Sequence, residues 1–241
     1  LHQRAPLHGH QLTHTSGMGN TINLTASDGT KISAYVAEPS GTPKGAVVVI
    51  QEIFGVNEHI RSVADGYAGN GYLAIAPALF DRVRSGVELG YDAEGIEVGR
   101  DIAFAMDMVD VLLDVEAAID EVSRAGRVGI VGYCWGGSIC YVAAARLGAK
   151  LAASVGYYGG QIMPYLDEQP VAPLLLHFGE EDGGIPLDNV RAIADRWPQI
   201  AVHIYDGAGH GFNCDERASH DAESATLALG RTLAHFAEHV G

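Results

Sequence analysis

Basic residues are scarce in this chain. Its 241 residues include 15 lysines and arginines against 30 aspartates and glutamates, which gives a formal net charge of −15. This charge disfavours binding to nucleic acids and to anionic membrane surfaces, because both are themselves negatively charged. We therefore expect no nucleic-acid partner and no membrane partner. A small anionic substrate is still compatible, since a few arginines can make a local positive pocket.

Cysteines and long apolar runs are also scarce. The three cysteines, at positions 134, 140 and 214, are too few for a disulfide framework, which favours a reducing compartment. No run of 18 apolar residues is present to form a membrane span. We therefore expect a cytoplasmic protein in which a cysteine can remain a free thiol.

The first 19 residues differ from the rest of the chain. They contain no acidic residue, no apolar period and no apolar core of a signal peptide, but four histidines: His2, His8, His10 and His14. We expect 1–19 to be a disordered arm or an artificially added leader, with Met18 as an alternative start. Metal binding by these histidines would be incidental.

Hydrophobic patterning over 20–241 predicts one α/β domain. Polar and apolar residues alternate over 21–26 and over 31–38, which predicts the two strands of a β-hairpin. Apolar runs and helical periodicity predict strands over 45–50, 72–76, 127–131, 151–157, 173–178 and 201–205, and helices over 58–69, 107–124, 136–147, 187–197 and 218–239. Buried strands that alternate with helices indicate a mostly parallel central sheet with helices on both faces.

Ligands of such sheets bind beyond the carboxyl ends of the strands. Two segments, 79–104 and 159–172, have no clear core pattern, and we expect them to lie over this site.

A nucleophile motif lies where the strand over 127–131 ends. Gly132-Tyr133-Cys134-Trp135-Gly136 follows the pattern of the nucleophile elbow of α/β-hydrolases, with cysteine in the usual place of serine. The glycines allow strand and helix to approach closely around a strained residue. The following helix points its N-terminus at the sulfur, which favours a thiolate. Cys134 is therefore the candidate nucleophile, whereas Cys140 reads as a buried small hydrophobe.

A thiol nucleophile needs a base, and the base needs an orienting acid. Asp182 follows the strand over 173–178, and His210 follows the strand over 201–205, in the chain order nucleophile, acid, histidine. Glu180 and Glu181 are alternative candidates for the acid. We interpret the strand histidines His177 and His203 as structural.

The loop after the strand over 45–50 is expected to complete the site. The backbone N–H groups of Ile53 and Trp135 are candidates for an oxyanion hole. Glu52 would be a costly carboxylate at the end of a buried strand unless paired, so we expect it to contact the thiol or an arginine.

A metal set of His203, Asp206, His210 and Cys214 is available in the sequence. Its spacing matches no familiar zinc pattern, so we expect no metal and no cofactor.

Several motifs together resemble the dienelactone hydrolase (carboxymethylenebutenolidase) family. They are Gln51-Glu52-Ile53-Phe54-Gly55-Val56-Asn57, Pro77-Ala78-Leu79-Phe80-Asp81-Arg82, Gly132-Tyr133-Cys134-Trp135-Gly136-Gly137, Gly179-Glu180-Glu181-Asp182 and Gly209-His210-Gly211-Phe212. The resemblance runs from about residue 20 to the C-terminus. It implies an α/β-hydrolase fold and a triad of Cys134, His210 and Asp182.

The resemblance also implies roles for charged residues around the triad. Glu52 corresponds to the glutamate that holds the thiol in the resting enzyme and swings to an arginine when substrate binds. Arg82 stands at the motif position of an arginine that binds the substrate carboxylate. The family has a second substrate arginine shortly after the histidine; here position 214 is cysteine, and the nearest arginine is Arg217.

We expect a hydrolase that opens a carboxylate-bearing lactone or enol ester through a cysteine thioester. Its partner would be a small molecule, and the protein would be a monomer or a homodimer. The alternatives are a broad small-ester carboxylesterase and a non-catalytic ligand-binding protein that uses the same pocket.

Overall fold

The computed structural model describes residues 19–241. Its centre is an eight-stranded sheet in the order β1-β2-β4-β3-β5-β6-β7-β8. The strands are β1 (Asn20–Thr25), β2 (Lys31–Ala37), β3 (Ala46–Ile50), β4 (Leu73–Pro77), β5 (Val128–Tyr133), β6 (Ala153–Tyr157), β7 (Leu174–Gly179) and β8 (Ala201–Tyr205). The two pairings of β2 are antiparallel and the other five are parallel, so the predicted mostly parallel sheet and hairpin are confirmed.

Within residues 19–241, six α-helices surround the sheet. They are α1 (Glu58–Gly69), α2 (Ala93–Ala105), α3 (Met108–Val122), α4 (Trp135–Arg146), α5 (Leu187–Arg196) and α6 (Ala222–His239). Along β5, Gly129 lies against Phe236 of α6, whereas Gly132 lies against Cys140 of α4. Because side chains alternate along a strand, residues three apart face opposite sides of the sheet. Helices therefore cover both faces, as predicted.

The central strands are buried on both faces. Every residue of β3, β4, β5, β6 and β7 is buried, which explains why these strands appear in the sequence as continuous apolar runs. The strand predicted over 72–76 is β4, whose last residue is Pro77, paired with Ala34. The leader expected over 1–19 lies outside the described residues, apart from Gly19.

Helix α2 is an element that the sequence pattern did not predict. It occupies the end of the segment 79–104, and Asp92 caps it by accepting a hydrogen bond from the backbone N–H of Gly95 at 2.8 Å. Glycine weakens helix propensity, and α2 contains Gly95 and Gly99. Gly99 is needed there because a Cβ at this position would collide with the carbonyl oxygen of Ile53. The helix thus packs directly on the loop that follows β3.

No helix within the described part of the chain is long and apolar enough to cross a membrane.

Candidate active site

Cys134 lies on a strained turn between β5 and α4. Its φ of 56° and ψ of −116° place it in a region that non-glycine residues rarely adopt. The turn is closed by the backbone N–H of Gly137, which donates to the Cys134 carbonyl at 2.9 Å. A Cβ at Gly136 would lie 2.6 Å from the carbonyl oxygens of Ile50 and Gln51, so only glycine fits. The elbow geometry predicted for this motif is present.

Two hydrogen bonds connect Cys134, His210 and Asp182. His210 Nε2 lies 3.1 Å from Cys134 Sγ, and His210 Nδ1 lies 2.7 Å from Asp182 Oδ2. The Asp182 side chain is fully buried, and its other oxygen accepts from the backbone N–H of Gly184 at 2.9 Å. The alternative acids Glu180 and Glu181 are both exposed. The structure therefore assembles the three residues that the chain order predicted.

The surroundings of His210 favour its protonated form. Burial acts against a charged imidazole, but hydrogen bonds to Asp182 and Cys134 outweigh it and raise the pKa of His210 to about 10. Because the negative charge of Asp182 stabilises a protonated imidazole, this balance favours an imidazolium at neutral pH. The N-terminus of α4 adds a partial positive charge beside the sulfur.

A cavity of about 390 Å³ opens over these residues. Ile53 and Trp135, the candidate donors of the oxyanion hole, line it together with Cys134 and His210. The loop that carries Ile53 is held by buried Gln51, whose Oε1 accepts from the backbone N–H of Leu79 at 3.1 Å. The cavity thus brings a thiol and a base together with the two residues whose backbone N–H groups are the candidate oxyanion donors, at the end of the sheet where ligands bind.

Glu52 is paired with Arg217 rather than with the thiol. Arg217 Nη1 lies 3.3 Å from Glu52 Oε1, and the two side chains are 19% and 1% exposed. The guanidinium also lies 5.8 Å from the centre of the Phe54 ring. A buried carboxylate requires a partner of opposite charge, and Arg217 supplies it. The thiol contact that the resemblance implied for the resting enzyme is replaced here by the arginine contact.

Arg82 does not reach the cavity. Its Nε and Nη2 donate to both oxygens of Asp114 at 2.8 Å, and its Nη1 donates to Asp28 at 2.7 Å. Asp114 is fully buried, and burial raises its pKa despite the opposing effect of Arg82. Because its guanidinium is already neutralised by two carboxylates, the expected role of Arg82 as a ligand of the substrate carboxylate is not supported.

Two residues of the site were not identified from the sequence. Arg100 of α2 is exposed and lines the cavity, one helical turn from Ile96 and from Phe104. The i, i+4, i+8 spacing of these three residues was the available signal, and it was missed because α2 was not predicted. Tyr158 follows β6 with a φ of 38°, and its ring centre lies 5.1 Å from that of His210.

The alternative interpretations of the histidines are resolved by packing. His177 is buried on β7, where its ring nitrogens lie 2.8 Å from the Tyr205 hydroxyl and 3.1 Å from the Thr232 hydroxyl. Burial lowers its pKa well below the usual value, which keeps it neutral and structural, as expected. Among residues 19–241, the set His203, Asp206, His210 and Cys214 does not form a cluster of metal-ligand atoms.

The chain is similar to known proteins over most of its length. The family model "Dienelactone hydrolase family" matches residues 32–240. A carboxymethylenebutenolidase of Pseudomonas putida is 33% identical over 222 residues, which span 88% of this chain and 93% of that protein. A provisionally named carboxymethylenebutenolidase of Synechocystis is 37% identical over 88% of this chain and 93% of its own length.

A solved structure shows the same architecture. The crystal structure of a provisionally identified dienelactone hydrolase from Klebsiella pneumoniae matches with a TM-score of 0.77 and 32% sequence identity. The match covers 91% of this chain and 100% of that chain. An esterase of Pyrococcus furiosus, at 14% identity and a TM-score of 0.64 over 94% of both chains, shares the fold alone. With its α/β-hydrolase fold and these relatives, the chain is a hydrolase that belongs to the dienelactone hydrolase family.

Proposed function

We propose that this protein opens a lactone or enol ester that carries a carboxylate, through a thioester on Cys134. The observation that carries the proposal is the chain of hydrogen bonds from Asp182 through His210 to the sulfur, at the base of a cavity lined by Ile53 and Trp135. The names of the relatives, which are carboxymethylenebutenolidases, support a lactone as substrate.

In the first half of the reaction the Cys134 thiolate attacks the carbonyl carbon. The carbonyl oxygen becomes an oxyanion that the N–H groups of Ile53 and Trp135 stabilise. The bond from this carbon to the ring oxygen then breaks, and the departing oxygen takes a proton from the His210 imidazolium. In a lactone this leaving group stays attached to the acyl chain, so the product remains bound as one thioester.

In the second half a water molecule attacks the thioester. His210, now neutral, accepts the proton of this water, while Asp182 holds the imidazole in position. Collapse of the second oxyanion releases the hydroxy acid and restores the thiolate. Glu52 is buried in the loop after β3 and pairs with Arg217. It would control the protonation of the Cys134 thiol by contacting either that thiol or Arg217.

The charge of the cavity supports an anionic substrate. Arg100 is exposed on α2 and lines the cavity, and Arg217 lines it as well, with its charge shared with Glu52. A guanidinium can hold a carboxylate through two parallel hydrogen bonds. We assign the carboxylate to Arg100, because Arg82 is neutralised outside the cavity and the charge of Arg217 is shared with Glu52.

A broad carboxylesterase is the second candidate, favoured by the apolar side chains of Phe54, Ile96 and Phe104 in the cavity wall. Turnover should be measured on a panel of lactones with and without a carboxylate and on p-nitrophenyl acetate. Preference for anionic lactones supports the proposal. Fast hydrolysis of p-nitrophenyl acetate without that preference indicates a carboxylesterase, and no turnover of any member indicates a ligand-binding protein.

A further inference from the structure

A second cluster of chemically active side chains lies beside the triad. An oxygen of Glu52, a ring nitrogen of His59 and the sulfur of Cys214 lie within 4.8 Å of one another, and all three residues are buried. The proposed reaction uses Glu52 but gives no role to His59 or Cys214. A nucleophile, an imidazole and a carboxylate buried together therefore require a separate explanation.

Two polar atoms of this cluster lack partners. Among the described residues, Glu52 Oε2 and His59 Nε2 are buried without a hydrogen bond. A buried polar atom left without a partner costs about 1–3 kcal/mol in lost hydration. A ligand that satisfies both atoms at once would remove this cost.

We propose that Glu52, His59 and Cys214 form a binding site for a divalent transition-metal ion of the zinc type. Zinc accepts one thiolate, one imidazole nitrogen and one carboxylate oxygen in tetrahedral geometry, whereas magnesium and calcium require oxygen ligands. Bonds of about 2.0–2.3 Å place tetrahedral ligand atoms roughly 3.5 Å apart. From separations of at most 4.8 Å, small inward movements of the three side chains suffice.

His59 already has the outer partner that metal-binding histidines use. Its Nδ1 lies 3.2 Å from Asp215 Oδ1, which orients the ring and leaves Nε2 for an ion. The Asp215 side chain is 42% exposed, while His59 is 5% exposed. The contact therefore connects the buried cluster to a carboxylate at the surface.

The charges around the cluster suit a divalent cation. An ion that binds to the Cys214 sulfur must displace the thiol proton to solvent. The resulting thiolate, Glu52 and Asp215 carry three negative charges, and Arg217 carries one positive charge. An ion of charge +2 would offset the excess negative charge of these four groups.

Binding would also hold Glu52 in the cluster. An ion on Glu52 keeps the carboxylate away from Cys134, so zinc would inhibit turnover. This consequence rests on the proposed function, whereas the binding site itself does not.

The test is titration of the full chain with cobalt(II) chloride in a Cys134→Ser background. Cobalt bound to a thiolate gives a sulfur-to-metal charge-transfer band in the near ultraviolet. The histidines near the N-terminus cannot give this band, because the three cysteines are at 134, 140 and 214. We expect a band that saturates at one equivalent and disappears when zinc is added.

Matched variants identify the thiolate. Adding Cys214→Ser removes the proposed ligand and should abolish the band. Adding Cys140→Ser is the control and should leave the band unchanged. Adding Asp215→Asn removes the partner of His59 and should weaken cobalt binding about 10- to 100-fold. Two results would overturn the proposal: no band in the Cys134→Ser protein, or a band that persists after Cys214→Ser is added. The band would be absent if a buried water, and not a metal ion, satisfies Glu52 Oε2 and His59 Nε2. If the Cys214→Ser variant does not fold, the cobalt affinity of the Asp215→Asn variant tests the proposal: an unchanged affinity contradicts it. Absorption needs no turnover, so this outcome is separate from that of the proposed function.

Discussion

Glu52 and Arg217 form a buried ion pair at the edge of the reactive cavity, with Oε1 and Nη1 3.3 Å apart. The pair connects the loop after β3, which carries the candidate oxyanion donor Ile53, to the segment after His210. It thereby joins two halves of the site that are 165 positions apart in the chain. The carboxylate is nearly inaccessible to water, so its stability depends on the arginine.

We expect Arg217→Met to lower the free energy of unfolding by about 3 kcal/mol, because it leaves the Glu52 carboxylate buried without a counter-charge. The double variant Arg217→Met/Glu52→Gln should recover part of this loss. Urea unfolding in the presence of a chelator measures both. Equal stability of Arg217→Met and wild type would mean that water, and not the arginine, compensates the carboxylate.

Cys134→Ala should reduce kcat by roughly 10⁴-fold or more, since loss of a nucleophile removes the covalent step. Cys140→Ala is the matched control, because this thiol is buried in α4 and we expect it to leave most activity. Cys134→Ser should remain weak, since the site is built around a thiolate. Mass spectrometry of wild-type enzyme mixed rapidly with a lactone should show an adduct of the lactone's mass on Cys134. Full activity in Cys134→Ala would rule out the thioester.

The raised pKa of His210 predicts a pH-dependent contribution to stability. The pKa is about 10 in the folded protein and about 6.5 in an unfolded chain. Protonated His210 therefore stabilises the folded state fully below about pH 6.5, and this stabilisation is lost as the pH rises toward 10. The difference in free energy of unfolding between wild type and His210→Gln should shrink over this range. A difference that is constant with pH would indicate that His210 is neutral in the folded protein.

Arg82 should contribute to the stability of the fold and not to the recognition of a negatively charged substrate. Arg82→Met leaves Asp114 buried without a partner, and we expect a loss of about 3 kcal/mol in the free energy of unfolding. The double variant Arg82→Met/Asp114→Leu should restore much of the loss. KM for anionic and neutral substrates should change equally, if at all. A selective rise of KM for anionic lactones would restore the role that the sequence motif implied.

Arg100→Gln should raise KM for an anionic lactone by about 10- to 100-fold, since a charge-assisted hydrogen bond contributes roughly 1.5–3 kcal/mol. KM for the corresponding neutral ester should be nearly unchanged. Arg191→Gln is a suitable control, because this arginine is exposed on α5 and pairs with Asp188 on the same helix. A similar loss for both substrates would mean that Arg100 acts through the packing of α2.

The order of elements and the positions of the triad could be read from local patterns. Apolar runs revealed the strands because β3, β5, β6 and β7 are buried on both faces. Cys134, Asp182 and His210 each follow a strand, and carboxyl ends of parallel strands meet at one edge of the sheet. Helix α2 was missed because it contains Gly99, a residue of low helix propensity, which is required there by the close contact with the Ile53 backbone.

The sequence by itself therefore determined the fold class, the candidate nucleophile and the chain order of the acid and the histidine, because periodicity and turn chemistry act between near neighbours. Only the tertiary structure decided which charges pair. Arg82 and Arg217 are both arginines near predicted loops, yet one binds Asp114 and Asp28 away from the cavity and the other binds Glu52 beside it. The approach of Cys214 and His59 to Glu52 was decided in the same way. Coulomb and desolvation energies depend on distance and burial in space, and residues far apart in the chain acquire both only when it folds.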